Sequence, residues 1–266
     1  MVSQLPELWH ARRAFMPVLI YEKKDRVAYI TLNRPDKMNA INTELMNELA
    51  NTWVDFRDDD SVWVAVLTGA GKLFCAGADF QSIGEPGIQE GFNVLREDPN
   101  NYQVYKPILC AINGPVIGRA ISLVLACDIR IAAENVEFSV PEVRFGVIPG
   151  GADVLEHFLP PGIAREMVFF GEKMNAQRAY EVGLVNRVVP QDKLMSEAAA
   201  MAGKLANNSP LAMRGLKEMF MRSKDLDYRT AAAIYETTNS RVLRSKDHEE
   251  GMKAMSERRK PQWQGK

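Results

Sequence analysis

Two short, largely apolar runs that end at a glycine constrain the fold of this 266-residue chain most strongly. Residues 62–68 lead into Gly69, and residues 108–113 lead into Gly114. Runs of this length without polar alternation are typical of strands buried on both faces, as in a parallel sheet covered by helices. A helix is predicted from about Ala120. The pattern therefore predicts an α/β fold in which strand, glycine turn and helix recur through the first two-thirds of the chain.

The start of the chain shows a different pattern. Apolar and polar residues alternate over 18–32 around a polar turn at 24–26, which predicts two antiparallel strands. Residues 42–44 then have the composition of a helix start. Apolar side chains follow at helical spacing, at Leu45, Leu49, Trp53 and Phe56.

After Pro160 the pattern becomes helical. Helices are predicted within residues 163–170, 192–207, 212–224 and 227–244. No Pro-rich or Ser-rich linker precedes them, so we predict one folded unit with a helical extension. Its parts are an N-terminal extension over residues 1–17, a core over 18–200 and a helical C-terminal region over 201–266.

Composition and charge exclude several classes of protein. Hydrophobic residues make up 46% of the chain and charged residues 25%, as in ordinary globular proteins. The net charge of −1 creates no overall attraction to nucleic acid or to a membrane surface, and no apolar run is long enough to cross a bilayer. Neither a dinucleotide signature, a phosphate-binding lysine loop nor a cluster of metal ligands occurs, so we expect no permanently bound cofactor and no metal.

The cysteines indicate the compartment. Cys75, Cys110 and Cys127 are odd in number, lack metal-type spacing and lie within apolar runs. This predicts reduced, mostly buried thiols. The N-terminus shows no basic region followed by an apolar signal core. A cytoplasmic location is therefore the expectation.

Five segments in order resemble one enzyme superfamily. The most informative reads Asn-Gly-Pro-Val-Ile-Gly-Arg-Ala-Ile-Ser-Leu-Val-Leu-Ala-Cys-Asp over residues 113–128, and the other four lie at 33–41, 69–80, 138–150 and 179–189. Together they resemble the crotonase, or enoyl-CoA hydratase/isomerase, superfamily. The resemblance implies a spiral of repeated β-β-α units followed by helices that build a homotrimer or a dimer of trimers. It also implies a coenzyme A thioester as substrate.

The resemblance assigns roles to individual positions. Crotonase-type enzymes hold a thioester carbonyl between two backbone N–H groups, which match those of Ala78 and Arg119. Glu142 matches the glutamate that carries a proton. A carboxylate in a partly apolar pocket has a raised pKa, which lets it accept a proton and return it. The expected coenzyme A path is lined by Lys37, Ala40, Lys72, Ala76 and Ala78.

Four positions depart from the family pattern: Ala120 replaces a glycine, and the other three are candidates for a role in the site. Arg119 replaces a glycine, and its side chain could pair with a substrate carboxylate, pair with Glu142 or Asp153, or extend into solvent. Ser122 replaces the other catalytic glutamate of hydratases and could bind a water or substrate hydroxyl, or have no role. Asp153 also replaces a glycine and could cap a helix or supply a second carboxylate.

These residues predict an acyl-CoA lyase of the enoyl-CoA hydratase type. In it, two N–H groups stabilise a thioester enolate while Glu142 acts as acid and base. The alternatives are an enoyl-CoA isomerase and a hydratase-lyase similar to those acting on hydroxycinnamoyl-CoA. A non-enzymatic alternative is a weakened family member that binds RNA, to which the balanced charge gives little support.

Overall fold

A computed structural model describes residues 17–82, 97–148, 150–152 and 154–266. In these ranges a six-stranded sheet has the order β1-β2-β3-β4-β6-β9, and a three-stranded sheet has the order β5-β7-β8. The strands are β1 Leu19–Lys24, β2 Val27–Leu32, β3 Val64–Gly69, β4 Ile108–Ile112, β5 Val116–Ile117, β6 Ile129–Ala133, β7 Glu137–Ser139, β8 Lys173–Asn175 and β9 Arg187–Val189.

Eight α-helices cover these sheets or follow them in the described residues. They are α1 Thr43–Asp58, α2 Ala120–Leu125, α3 Pro161–Phe170, α4 Ala176–Glu181, α5 Leu194–Ala206, α6 Pro210–Ser223, α7 Tyr228–Leu243 and α8 Lys246–Ser256. Short 3-10 turns connect several of them, among which Pro141–Phe145 bears on the site. The mixed α/β class and the helical C-terminal region are as the sequence predicts.

The large sheet confirms the predicted strand types. β1 and β2 form an antiparallel hairpin in which Leu19 lies opposite Leu32, whereas β2, β3, β4, β6 and β9 run parallel. Every residue of β3 and β4 is buried, because helix α5 packs against both strands on one side of the sheet. Continuous burial explains why these two strands lack polar alternation in sequence.

Helix α1 forms where the sequence predicts it. The Asn42 side chain accepts a hydrogen bond from the Leu45 N–H and so caps the first turn. Its buried face carries Leu45, Met46, Leu49, Trp53 and Phe56.

The C-terminal helices form the second part of the chain. Helix α5 crosses residue 200 and packs on the large sheet, so the boundary predicted at that residue falls inside a helix.

Helices α6 and α7 pack closely at Gly215, where an added Cβ would lie 3.1 Å from the Thr238 side chain. Asp247 holds the tail by accepting from the N–H groups of Gln264 and Gly265. The predicted extension, residues 1–17, lies outside the described residues except for its last position.

All three cysteines are free and buried, in agreement with the sequence. The helices of the described residues are all too short or too polar to cross a membrane. The described residues also contain no group of His, Cys, Asp or Glu side chains arranged to hold a metal ion.

Lys106 caps the C-terminal end of α1 from the protein interior. It is 2% exposed, and its Nζ donates to the carbonyl oxygens of Phe56 and Asp59, at 2.6 Å each. Burial, followed by the nearby Arg214 charge, lowers the pKa of Lys106 to about 8. The buried ammonium therefore stabilises a helix end at a cost in desolvation.

Lys106 makes stability depend on pH in the alkaline range. Its pKa is about 8 when folded and about 10.4 in an unfolded chain, so between these values the unfolded state binds more protons and stability rises with pH. We expect the difference in unfolding free energy between wild type and Lys106→Met to grow by about 1–3 kcal/mol from pH 8 to pH 10. Urea denaturation across this range measures it. Lys24→Met, at an exposed strand end, is the control. Parallel curves for wild type and Lys106→Met would contradict the assignment.

Candidate active site

Backbone pairing joins the first two family-like segments. The Ile41 N–H donates to the Gly77 carbonyl at 2.7 Å, and the Asp79 N–H donates back to the Ile41 carbonyl at 2.9 Å. An ion pair of 3.0 Å between Arg34 and Asp79 fastens the ends of the same segments. The two segments therefore form one rigid edge.

Asn39 fixes the turn that precedes this edge. Its side-chain Nδ2 donates to the carbonyl oxygens of Ala70, Leu73 and Phe74, and its Oδ1 accepts from the Arg34 N–H. Asn39 has a φ of 54°, a left-handed conformation that asparagine tolerates better than most residues. One buried amide thus ties residues 70–74 to the start of the first segment.

The third segment joins the edge through Cys75. The Cys75 N–H donates to the Pro115 carbonyl, and the Ile117 N–H donates back to the Cys75 carbonyl at 3.1 Å. This pairing sets Gly77 against residues 117–119: an added Cβ at Gly77 would lie 2.6 Å from the Ile117 oxygen and 3.2 Å from the Arg119 nitrogen. Gly77 also has a φ of +85°, so only glycine fits here without strain.

The pairing orients the two predicted N–H donors. Gly77 and Asp79 both bond to Ile41, so the N–H of Ala78 between them faces the opposite side. Within the described residues, the Ala78 N–H has no hydrogen-bond acceptor. Arg119 begins helix α2, with its nitrogen beside this loop. The structure thus brings the backbone positions of Ala78 and Arg119 side by side.

Glu142 approaches the same place from the turn Pro141–Phe145. Its carboxyl carbon would lie 2.8 Å from a Cβ at Gly118, which has a φ of +56°. Burial raises the pKa of Glu142, while the backbone N–H groups of Glu142 and Arg119 oppose this rise to a smaller extent. Among the described residues, Glu142 Oε2 is buried without a hydrogen-bond partner. A poorly solvated carboxylate therefore lies against the Arg119 N–H.

Ser122 lies within α2 and is 4% exposed. Its hydroxyl donates to the Arg119 carbonyl at 2.6 Å, and the Gly151 backbone packs directly on its Cβ. The hydroxyl proton therefore forms a hydrogen bond to the backbone at the start of the same helix. Of the readings open from sequence, this geometry favours a structural serine over a donor to substrate or water. Asp153, the other candidate for a second acidic group, lies outside the described residues.

The Arg119 side chain differs from the sequence expectations. It does not extend into solvent, since it is 7% exposed. It pairs with Glu97, whose side chain is fully buried: Nε lies 2.6 Å from Oε1, and Nη2 lies 2.9 Å from Oε2. The solvent-facing reading is wrong, because the guanidinium lies in the protein interior against a buried carboxylate. The carboxylate it meets is Glu97, which the sequence reasoning overlooked.

The sequence also did not predict an aromatic pair, Phe80 and Phe145. Phe80 follows the Ala78 loop and Phe145 follows Glu142, and their ring centroids lie 6.3 Å apart in an edge-on arrangement. Both rings are largely exposed. Their positions two residues after Ala78 and three after Glu142 are the signal that could have identified them. The two sides of the site thus meet through apolar surface.

The expected coenzyme A positions follow the paired edge. Ala40 is buried, whereas Ala76 and Ala78 are half-buried along the neighbouring strand-like segment. Lys37 and Lys72 are exposed, and the Lys37 ammonium lies 3.3 Å from the Gln81 amide oxygen. Two cations at the outer end and small side chains further in suit an extended anionic ligand. Coenzyme A binding by these residues remains a prediction.

A family model described as enoyl-CoA hydratase/isomerase matches residues 22–266. The chain belongs to the enoyl-CoA hydratase/isomerase family. Carnitinyl-CoA dehydratase of Proteus mirabilis is 38% identical over 250 residues, which cover 90% of this chain and 95% of that protein. (E)-Benzylidenesuccinyl-CoA hydratase of Thauera aromatica is 36% identical over 257 residues, which cover 94% of this chain and 100% of that protein.

Solved structures agree with this membership. An enoyl-CoA hydratase from Mycobacterium tuberculosis H37Rv superposes with a TM-score of 0.88 at 34% identity, over 94% of this chain and 100% of that one. An enoyl-CoA hydratase/isomerase from Mycobacterium paratuberculosis gives 0.86 at 36% identity, over 94% and 99%. The predicted superfamily is therefore confirmed, and with it the crotonase-like α/β fold.

The contact between Gly118 and Glu142 makes a prediction about the site. In Gly118→Ala the new Cβ meets the carboxylate, the mobile end of a side chain, so we expect Glu142 to move away from the Arg119 N–H. Positive φ adds about 1 kcal/mol of strain. Gly183→Ala, with φ +84° and open space around it, is a matched control for strain alone. Crystal structures of both variants measure the displacement. A Glu142 carboxylate at its original position in Gly118→Ala would contradict the prediction.

Proposed function

We propose that this chain is an acyl-CoA lyase of the enoyl-CoA hydratase type, with Glu142 as acid and base. The observation that carries the proposal is the meeting of the Glu142 carboxylate, with its raised pKa, and the adjacent backbone positions of Ala78 and Arg119. A carboxylate made more basic by burial suits proton transfer near neutral pH.

The two N–H groups would bind the thioester carbonyl oxygen. Preorganised donors stabilise the negative charge that builds on that oxygen as the enolate forms, an effect of about 3–4 kcal/mol per donor in comparable sites. In the free protein the Arg119 N–H is one of the backbone groups that lower the pKa of the Glu142 carboxylate. A carbonyl oxygen that takes over this N–H removes an interaction that lowers the Glu142 pKa, so substrate binding would strengthen the base.

Glu142 would then move one proton through the reaction. Its carboxylate takes a proton from water as the water oxygen bonds to the β carbon of the enoyl group. The electron pair of the double bond moves toward the thioester oxygen held by Ala78 and Arg119. The proton returns to the α carbon as the carbonyl reforms, and elimination runs the same steps backwards. With the Ser122 hydroxyl engaged by the Arg119 carbonyl, one carboxylate serves both proton transfers.

Names of relatives support water chemistry over isomerisation. Two of the similar proteins are a carnitinyl-CoA dehydratase and a benzylidenesuccinyl-CoA hydratase. Both names describe addition or removal of water on a coenzyme A ester. The exposed rings of Phe80 and Phe145 beside the site would provide an apolar wall for an acyl group, including a branched or aromatic one.

The assembly belongs to the same proposal. Large apolar side chains remain exposed on the C-terminal helices, among them Leu216, Phe220, Tyr228, Tyr235 and Leu243. Where such side chains form one contiguous apolar patch, the patch is typical of a protein interface. A homotrimer or dimer of trimers would cover it. A cytoplasmic location accords with three free, buried cysteines.

Glu142→Gln tests the proposed proton carrier. The amide keeps the shape of the side chain but cannot accept and return a proton, so we expect kcat to fall by about 10²–10⁴-fold with little change in acyl-CoA affinity. Steady-state kinetics and calorimetry measure the two quantities. Glu134→Gln, at an exposed carboxylate, should match wild type. Turnover within threefold of wild type in Glu142→Gln would reject the assignment.

Product analysis decides among the reactions. Crotonyl-CoA, a branched enoyl-CoA and an aromatic enoyl-CoA are each incubated with the protein and analysed by mass spectrometry. We expect a mass gain of one water. A product of unchanged mass with a shifted double bond would favour the isomerase, and a released aldehyde would favour the hydratase-lyase. RNA retention that falls steeply with salt, without any turnover, would favour the binding protein.

A further inference from the structure

We propose that Glu97 is a positioning residue that holds the Arg119 backbone N–H in place for the thioester oxygen. The inference rests on the function proposed above and concerns a residue outside the family-like motifs. It starts from the buried ion pair between the Glu97 carboxylate and the Arg119 guanidinium, which uses both carboxylate oxygens.

The pair is built into the protein interior. The Glu97 side chain is fully buried, and its backbone carbonyl accepts a hydrogen bond of 2.7 Å from the Trp53 indole, which is itself fully buried in α1. The Arg119 guanidinium also lies 3.8 Å from the Met46 sulfur on the same helix. Helix α1 therefore anchors Glu97, and Glu97 anchors Arg119.

Arg119 is held on three sides. The Gly118 N–H before it donates to the Ser139 carbonyl at 2.8 Å, and its own carbonyl accepts from the Ser122 N–H and hydroxyl. The bidentate contact with Glu97 fixes the direction of the Arg119 side chain, and thereby restricts the orientation of the Arg119 backbone. A planar, two-bond contact restricts orientation more than a single bond does.

Glu97 compensates for the arginine at this position. The family usually has glycine here, which has no side chain to place. A guanidinium buried without a partner would seek water or another carboxylate and pull residue 119 with it. The Glu142 carboxylate already lies against Gly118, the residue before Arg119. Glu97 thus keeps the guanidinium away from the proposed base.

The consequence is a specific pattern of rescue. Glu97→Gln removes the carboxylate charge that faces the guanidinium, and Arg119→Gly leaves the buried Glu97 carboxylate without this guanidinium, so each single variant should misplace the N–H. The double variant Glu97→Gln with Arg119→Gly restores the glycine of the family and leaves no unpaired charge. A residue that itself contacted the reacting atoms would not be rescued in this way.

The experiment measures the thioester carbonyl stretch of bound ¹³C-labelled crotonyl-CoA by infrared difference spectroscopy, together with kcat and KM. Hydrogen bonds to a carbonyl lower its stretching frequency, so the shift reports the donors directly. We expect wild type to show a clear downshift. In Glu97→Gln the shift should shrink and kcat fall by about 10–100-fold, part of the effect of losing one donor, with a smaller change in KM. In the double variant both should return to within about tenfold of wild type.

Two further variants separate positioning from stability. Lys217→Met breaks a partly buried ion pair with Asp128, which the site does not include, so it should lower the melting temperature without changing the carbonyl shift. Arg119→Lys keeps the charge but loses the two-bond contact, and it carries the test if Glu97→Gln does not fold. It should show a reduced shift.

The outcomes distinguish a failure of the positioning role from a failure of the proposed function. A wild-type carbonyl shift kept in full by folded Glu97→Gln or Arg119→Lys, or a folded double variant that regains neither shift nor kcat, would overturn the positioning role and leave the proposed function standing. Wild-type protein that binds none of the three enoyl-CoA substrates used in the product analysis, or binds one of them without any shift, would overturn the proposed function and the positioning role together.

Discussion

The backbone hydrogen bonds that tie residues 38–41 to 76–79, and Cys75 to residues 115–117, hold the whole candidate site together. They join segments far apart in sequence where neighbouring strands of the large sheet end. Because each bond uses main-chain atoms, it defines the direction of the N–H groups between them. The orientation of the Ala78 N–H therefore follows from the fold and not from its side chain.

Close backbone approach at two glycines makes this arrangement possible. Gly77 lies against residues 117–119, and Gly118 lies against the Glu142 carboxylate, in both cases with positive φ. Side chains at either position would separate the loop, the helix start and the acidic group. The raised pKa of Glu142 follows from the same packing, since burial against Gly118 removes water from the carboxylate.

Arg119 shows how this chain departs from its family while keeping the family fold. A long charged side chain stands where glycine is usual, and it is accommodated by turning away into the interior, where Glu97 and Met46 surround it. The backbone of α2 still starts at the expected place. The arginine at this position is thus paired with a second residue, Glu97, from a distant part of the chain.

The sequence by itself determined the superfamily, the parallel strands β3 and β4, the capped helix α1 and the helical C-terminal region. Local periodicity and ordered motifs carry that information, because burial on both faces and helical spacing leave direct traces in residue order. Only the tertiary structure decided where the Arg119 guanidinium goes, that the Ser122 hydroxyl is used within its helix, and that Phe80 meets Phe145. Glu97 lies 22 residues from Arg119, outside the five family-like segments. A contact between such positions depends on how loops pack across the sheet, and residue order alone contains no local signal for it.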